Sequence, residues 1–262
     1  MSINSNTANG EIENKSSRVR ITVAYDGTDY AGWQLQPDEP TVQGELEKAL
    51  EKIMVHQIRV TGAGRTDAGV HATGQVAHFD NPGRLEPPVL MRALNALLPG
   101  SIRVLDARQT QDDFSARYSA GWKIYRYGLA SPELPEAVLL ARTHWIRKLP
   151  EYQELLRRCS EIIAGVHDFF TFSKQEGHRP HHNCHVFEAD WNDEGEKLYF
   201  TVKGDRFLRG TVRMLVGGML AVADGRAGID DFRNALDKPG RWKEAVPAPA
   251  CGLTLVRVNY DD

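Results

Sequence analysis

Gly62-Ala63-Gly64-Arg65-Thr66-Asp67-Ala68-Gly69-Val70-His71 places one carboxylate in a run of small residues, with a guanidinium two positions before it. Small residues let a backbone turn tightly and let a bulky partner approach closely. A guanidinium nearby favours the ionised form of a carboxylate. The stretch therefore reads as a loop carrying an anionic nucleophile or base. The same residue types also suit a surface turn stabilised by Thr66 and Asp67.

Periodic segments flank this loop. Val19, Ile21, Val23 and Tyr25 alternate and predict a strand over Arg18–Asp26, closed by Asp26-Gly27. Thr41 suits the N-cap of a helix whose apolar face is Val42, Leu46, Ala49, Leu50 and Ile53. Strands follow over Ile58–Ala63 and Gly74–Asp80, then a helix opening at Pro87-Pro88, then a strand over Ile102–Gln109. Beyond them, strands are predicted at Tyr118–Ala120, Lys123–Ala130, Cys184–Trp191, Lys197–Lys203 and Leu253–Tyr260. Helices are predicted from Glu151 to about Ala164 and from Phe207 to about Ala223. Each half thus runs strand, helix, strand, strand, helix, strand. This predicts an α+β fold of two ferredoxin-like halves, residues 18–115 and 116–262, with their sheets joined side by side and a cleft between them. Residues 1–17 are rich in Asn, Ser, Glu and Lys and read as a disordered tail.

The 262 residues are 41% hydrophobic and 26% charged, with a net charge of −3, which suits a globular protein and argues against a generally basic nucleic-acid binder. The sequence lacks the long apolar run of a membrane span or a secretory signal. Cys159, Cys184 and Cys251 are scattered and odd in number, which fits a reducing cytoplasm. His178, His181, His182, Cys184 and His185 crowd one segment, but without the paired spacing of a zinc site.

Two further patterns carry chemistry. Arg213 lies in the apolar helical run Phe207–Leu220, sharing a face with Gly210, Val216 and Gly217. A guanidinium in such a helix needs an acceptor or an exit to water; Asp67 across the cleft is the acceptor of interest. Trp122-Lys123-Ile124-Tyr125-Arg126-Tyr127 alternates rings with basic side chains, and Tyr125 and Tyr127 share one strand face, where rings can stack on an unstacked base or pack in a core.

Together these segments resemble the tRNA pseudouridine synthase A family. The resemblance is carried by Tyr25-Asp26-Gly27 with Tyr30 and Gly32-Trp33-Gln34; by the run Gly64 to His71; by Gly74-Gln75-Val76; by Asp113-Phe114 with Ala116-Arg117; by Tyr125-Arg126-Tyr127; and by Val212-Arg213 with Val216-Gly217. It implies the pseudouridine synthase fold, with a mixed, mainly antiparallel sheet. It implies that Asp67 is the catalytic carboxylate and that Arg65 helps move the target base out of the stack. Tyr125 would pack on the uridine, Arg213 would pair with the carboxylate, and Leu253 would form an apolar wall near the base. Arg126 joins them as a candidate substrate contact. The implied substrate is uridine at positions 38, 39 and 40 of the tRNA anticodon stem-loop, without cofactor or metal, in a cytoplasmic homodimer whose subunits both touch each tRNA. Gln175–His185 and Phe207–Thr211 depart from the family's pattern.

Arg59, Arg84, Arg117, Lys123, Arg126, Arg206 and Arg209 are candidates for a basic lining. Rival classes are an RNA-binding module without catalysis, which gives Asp67 and Arg213 no role, and a glycosidase, which wants a second carboxylate.

Overall fold

The computed structural model describes residues 17–82, 85–130, 143–145, 149–175, 181–195 and 197–260. The predicted tail lies outside these, except that its last residue, Ser17, already belongs to the first strand. The first part of the chain runs β1 (Ser17–Tyr25), α1 (Val42–Met54), β2 (Thr61–Gly62), β3 (His71–Asn81), α2 (Pro87–Leu97) and β4 (Ile102–Thr110). It continues with β5 (Trp122–Ala130), β6 (His144–Trp145), α3 (Leu149–Ser160), β7 (Gly165–Asp168), β8 (Asn183–Glu194) and β9 (Lys197–Gly204). It closes with α4 (Thr211–Ala223), α5 (Ile229–Asp237) and β10 (Leu253–Asn259). The α+β class and the mixed, mainly antiparallel sheet are as expected.

The ten strands among the described residues form one sheet, in the order β4-β1-β3-β10-β5-β9-β8-β7, with β2 on β3 and β6 on β5. The seam is β10. It runs parallel to β3, with Thr254 opposite His71, and antiparallel to β5, with Leu253 opposite Tyr127. Gly74 allows this close approach: a Cβ there would come within 2.2 Å of the Val256 carbonyl oxygen, at the bulge in β10.

Local chemistry explains most of the elements. The Thr41 hydroxyl accepts from the Gly44 amide and starts α1, and Pro87 and Pro88 open α2. One face of β1 (Val19, Ile21, Val23) and one of β9 (Leu198, Phe200, Val202) are fully buried in the core, and the helices pack in two groups, α1 with α2 and α3 with α4 and α5. The cleft opens between these groups.

Three elements differ from expectation for visible reasons. The strand expected over Ile58–Ala63 shrinks to Thr61–Gly62, because the Val60 amide donates to the Glu47 carboxylate (3.0 Å) rather than to a neighbouring strand. Tyr118–Ala120 is no strand: Ser119 N–H bonds back to the Ser115 carbonyl (2.9 Å) and closes a tight turn. The helix expected from Phe207 begins only at Thr211, since Gly210 sits at φ +79°, outside the right-handed region. The short β6 and β7, and the charged helix α5, carry patterns too brief or too polar to be anticipated.

Helix α4 packs very closely. A Cβ on Gly217 would lie 1.8 Å from the Val246 carbonyl oxygen. Gly217→Ala is therefore expected to lower unfolding stability by about 3 kcal/mol. Gly100→Ala, where nothing lies within 4 Å, is expected to change it little. Parallel denaturant titrations check both.

Candidate active site

The loop between β2 and β3 is pinned from three sides. A strap formed by residues 27–33 lies across it. Trp33 N–H donates to the Thr66 carbonyl (3.1 Å), and Gly69 N–H donates to the Tyr30 carbonyl (3.3 Å). Gly32 adopts φ +104°, and a Cβ there would meet the Thr66 oxygen at 2.5 Å. From the sheet, Gln75 donates its amide to the Gly64 carbonyl (2.8 Å), and the buried Tyr25 hydroxyl bonds the Thr66 hydroxyl (2.8 Å). The third hold is Lys123, whose Nζ donates to the Ala63 carbonyl (2.9 Å). These contacts give the small residues and the strap motif a shared physical reason: they set one side chain, Asp67, at the base of the cleft.

Asp67 is only 11% exposed, and three cations converge on it. Arg213 reaches Oδ2 at 3.0 Å, Lys174 stands 3.7 Å from the same oxygen, and Arg209 Nε reaches Oδ1 at 3.2 Å. Arg213 is fixed in place: its Nε donates to the Ala248 carbonyl (2.7 Å), and its own carbonyl accepts from Ala248 N–H (3.0 Å). The expected pairing of Asp67 with Arg213 across the cleft is thus present. The guanidinium that meets the carboxylate is not the neighbouring Arg65, however. Arg65 is exposed at the rim of the cleft.

The cleft encloses about 620 Å³. Tyr125 and Leu253 line it beside Asp67, and both are largely buried. The Tyr125 ring stands edge-on to Phe207, with centroids 5.4 Å apart. Burial pushes the Tyr125 hydroxyl above its ordinary range, with Tyr25 and Asp67 adding to the effect, so it stays protonated. Arg126 points to the other face of the sheet. There it pairs with Glu194 and lies over the Tyr199 ring at 3.7 Å, so it is removed from the candidate site. Alternation along a strand makes this unavoidable once Tyr125 faces the cleft.

Arg59, Arg65, Arg117, Lys123, Arg206, Arg209 and Arg213 line the cleft, and Asp67 is the only acidic residue among the described lining residues. A chain of net charge −3 thus gathers its cations where a polyanion would enter. Arg84, another candidate, lies outside the described residues. Sequence reasoning offers Arg209 only as part of a basic lining and misses Lys174 altogether. Their contact with Asp67 depends on the turn at Gly210, which no spacing rule reveals.

Part of the histidine-rich segment, residues 181–185, leads into and begins β8. Cys184 is buried, and the His181 ring nitrogen lies 3.1 Å from Arg206 Nη2; His178 is outside the described residues. Among the described residues no group of His, Cys, Asp or Glu side chains is placed to hold a metal ion, and no helix is long and apolar enough to cross a membrane.

Burial, aided by nearby Arg117 and opposed by Asp205, brings the Lys123 ammonium from its ordinary 10.5 down to about 8. Between those values the unfolded chain holds the proton and the folded chain releases it, so the charged form costs stability below that window and the cost grows as pH falls from the upper value to the lower. Its charge at the cleft is lost as pH rises through about 8. Polyanion affinity is therefore expected to fall between about pH 7 and pH 9 more steeply in the native protein than in Lys123→Arg, whose guanidinium stays charged. Fluorescence anisotropy with RNA across that range checks it, and superimposable curves would refute it.

A single anchored carboxylate at the base of a cationic, aromatic-walled cleft defines an enzyme that works on a nucleic acid through acid–base or nucleophilic chemistry. The family described as tRNA pseudouridine synthase matches residues 21–119 and 161–261, and this chain belongs to it. It is similar to tRNA pseudouridine synthase A of Gloeobacter violaceus, 37% identical over 253 residues, covering 97% of this chain and 83% of that protein. It is also similar to tRNA pseudouridine synthase A 1 of Desulfotalea psychrophila, 40% identical, covering 92% of this chain and 99% of that one. The Latilactobacillus sakei tRNA pseudouridine synthase A is 39% identical, covering 94% and 99% respectively.

Proposed function

We propose that the chain isomerises uridine to pseudouridine at positions 38, 39 and 40 of the tRNA anticodon stem-loop, with Asp67 as the reacting carboxylate. The observation that carries this reading is the Asp67–Arg213 pair, 3.0 Å apart, at the base of a cleft whose other described charges are all cationic.

The reaction breaks the bond from C1′ to N1, turns the base, and joins C1′ to C5, after which C5 gives up its proton. Asp67 enters either by attacking C1′ or by removing the C2′ proton to give a glycal. Both routes need an anion held in a fixed direction, and Arg213 fixes it. Both need the nucleotide drawn out of its stem, since the sugar–base bond is inaccessible within a helix. Arg65 at the rim is suited to fill the gap left in the stem. Tyr125 and Leu253 supply a flat wall and an apolar wall between which a freed base can turn without escaping. The protonated Tyr125 keeps that surface neutral.

The protein acts in the cytoplasm as a homodimer, each tRNA touching both subunits. The basic residues spread along the cleft from Arg59 to Arg117 and Arg206 support a substrate larger than one nucleotide. Incubation with unmodified tRNA, followed by mapping of pseudouridine nucleotide by nucleotide, tests the reading. Product is expected at positions 38–40. No product would overturn the activity, and product elsewhere would overturn the assigned positions.

A further inference from the structure

We infer that Arg209 is a movable counter-charge: it caps Oδ1 of Asp67 in the free enzyme, the incoming nucleotide displaces it, and the guanidinium then binds a phosphate beside the target residue. Oδ1 is thereby the reacting oxygen. The inference rests on the uridine-isomerase reading of the same site.

The two oxygens of Asp67 are held in unlike ways. Oδ2 is held by Arg213, which is 15% exposed and clasped to Ala248 through both its side chain and its backbone. Moving that guanidinium away would also break its Nε bond to the Ala248 carbonyl. Oδ1 is held by Arg209, which is 43% exposed. Arg209 sits in the turn before α4, where its carbonyl is tied to Lys174 N–H (2.9 Å) and the next residue, Gly210, takes φ +79°. Its backbone is therefore fixed while its side chain borders solvent. Of the two contacts on the carboxylate, the one at Oδ1 is the more readily exchanged, since its guanidinium is open to water.

A guanidinium on Oδ1 engages one of its lone pairs, shields it from an incoming ribose and lowers its reactivity toward a sugar carbon or proton. Arg213 orients the carboxylate through Oδ2, which leaves Oδ1 for the ribose, and Oδ1 is freed to react when Arg209 moves off it. A sugar carbon brought to Oδ1 carries its phosphates with it. Those phosphates are the anions nearest to the departing guanidinium, and phosphate suits its planar fork. The exchange also limits repulsion, because the carboxylate keeps Arg213 and Lys174 while the phosphate gains Arg209. This gives a purpose to a crowding of cations that one carboxylate does not need.

A double-mutant cycle on RNA binding tests the exchange. Association and dissociation with unmodified tRNA are followed by stopped-flow anisotropy before turnover, for native protein, Asp67→Asn, Arg209→Gln and the double variant. The neutral amide of D67N removes the ionic attraction that holds Arg209 over Oδ1, so this variant is expected to bind about 2- to 5-fold more tightly than the native chain. That gain is expected to disappear when Arg209 is already replaced by glutamine. R209Q should also reduce the slope of log affinity against log salt by about one, and Arg209→Lys should restore it. An equal gain in both backgrounds, no gain, or an unchanged slope would each overturn the proposal. The cycle reads binding alone, so a native enzyme that forms no pseudouridine would defeat the isomerase reading while the exchange of partners at Arg209 is still measured.

Discussion

Asp67→Asn protein is expected to lose at least about four orders of magnitude in pseudouridine formation, roughly 5.5 kcal/mol of activation free energy, while still binding tRNA. The reason is chemical rather than steric. The asparagine amide preserves the shape of the side chain, and its oxygen can still accept from Arg213. It is neither a competent anion at C1′ nor a base for the C2′ proton. The loop around it is held by the Trp33, Tyr30, Gln75 and Tyr25 contacts, none of which involves the carboxylate, so the cleft should keep its form. Asp67→Glu retains the charge but carries the oxygens about 1 Å too far, for which a loss of about 10²-fold is expected. Quantitative mapping of pseudouridine under single-turnover conditions checks both. Turnover of the asparagine variant near the native rate would remove Asp67 from the chemistry.

Arg213→Met should do damage of two kinds. The pair it breaks is mostly buried, and the Ala248 carbonyl loses the Nε donor that now lies 2.7 Å away. Unfolding stability is expected to drop by about 2–4 kcal/mol. Asp67 would retain only Arg209 and Lys174, both more exposed than Arg213, and its direction would no longer be set. A fall of about 10²- to 10³-fold in kcat is expected, comparable to removing one preorganised donor from a reacting centre. Arg213→Lys separates these effects. It keeps the charge but lacks a fork that can hold Ala248 and Oδ2 together, so activity should return only in part. Calorimetry beside single-turnover rates reads the two losses independently. Native stability and rate in the methionine variant would show that the clasp has no role.

Much of this site is legible in the residues because the constraints on it are local. A carboxylate among Gly62, Gly64, Ala68 and Gly69 announces a loop that other groups must approach closely, and the strap does so. A cation in the apolar run around Val212 and Val216 announces a partner. What stays hidden depends on distance or on handedness. Strand alternation separates Tyr125 from Arg126 but does not say which face holds the cleft, and the expectation that Arg126 meets substrate falls on the wrong face. Sequence proximity puts Arg65 beside Asp67, whereas the actual partners come from positions 174, 209 and 213. Only a folded chain brings those together. The strand lost at Ile58–Val60 shows the converse: the pattern of side chains there is strand-like, but Glu47 satisfies the backbone first.

The seam strand has a consequence for how the enzyme comes into being. β10 is what hydrogen-bonds the β3 side of the sheet to the β5 side, and its partner His71 lies far earlier in the chain than Thr254. During synthesis, the carboxylate-bearing part leaves the ribosome long before the strand that must zip it to the rest. Pairings across such separations form late. Until then the nascent chain has no complete groove in which to hold an RNA.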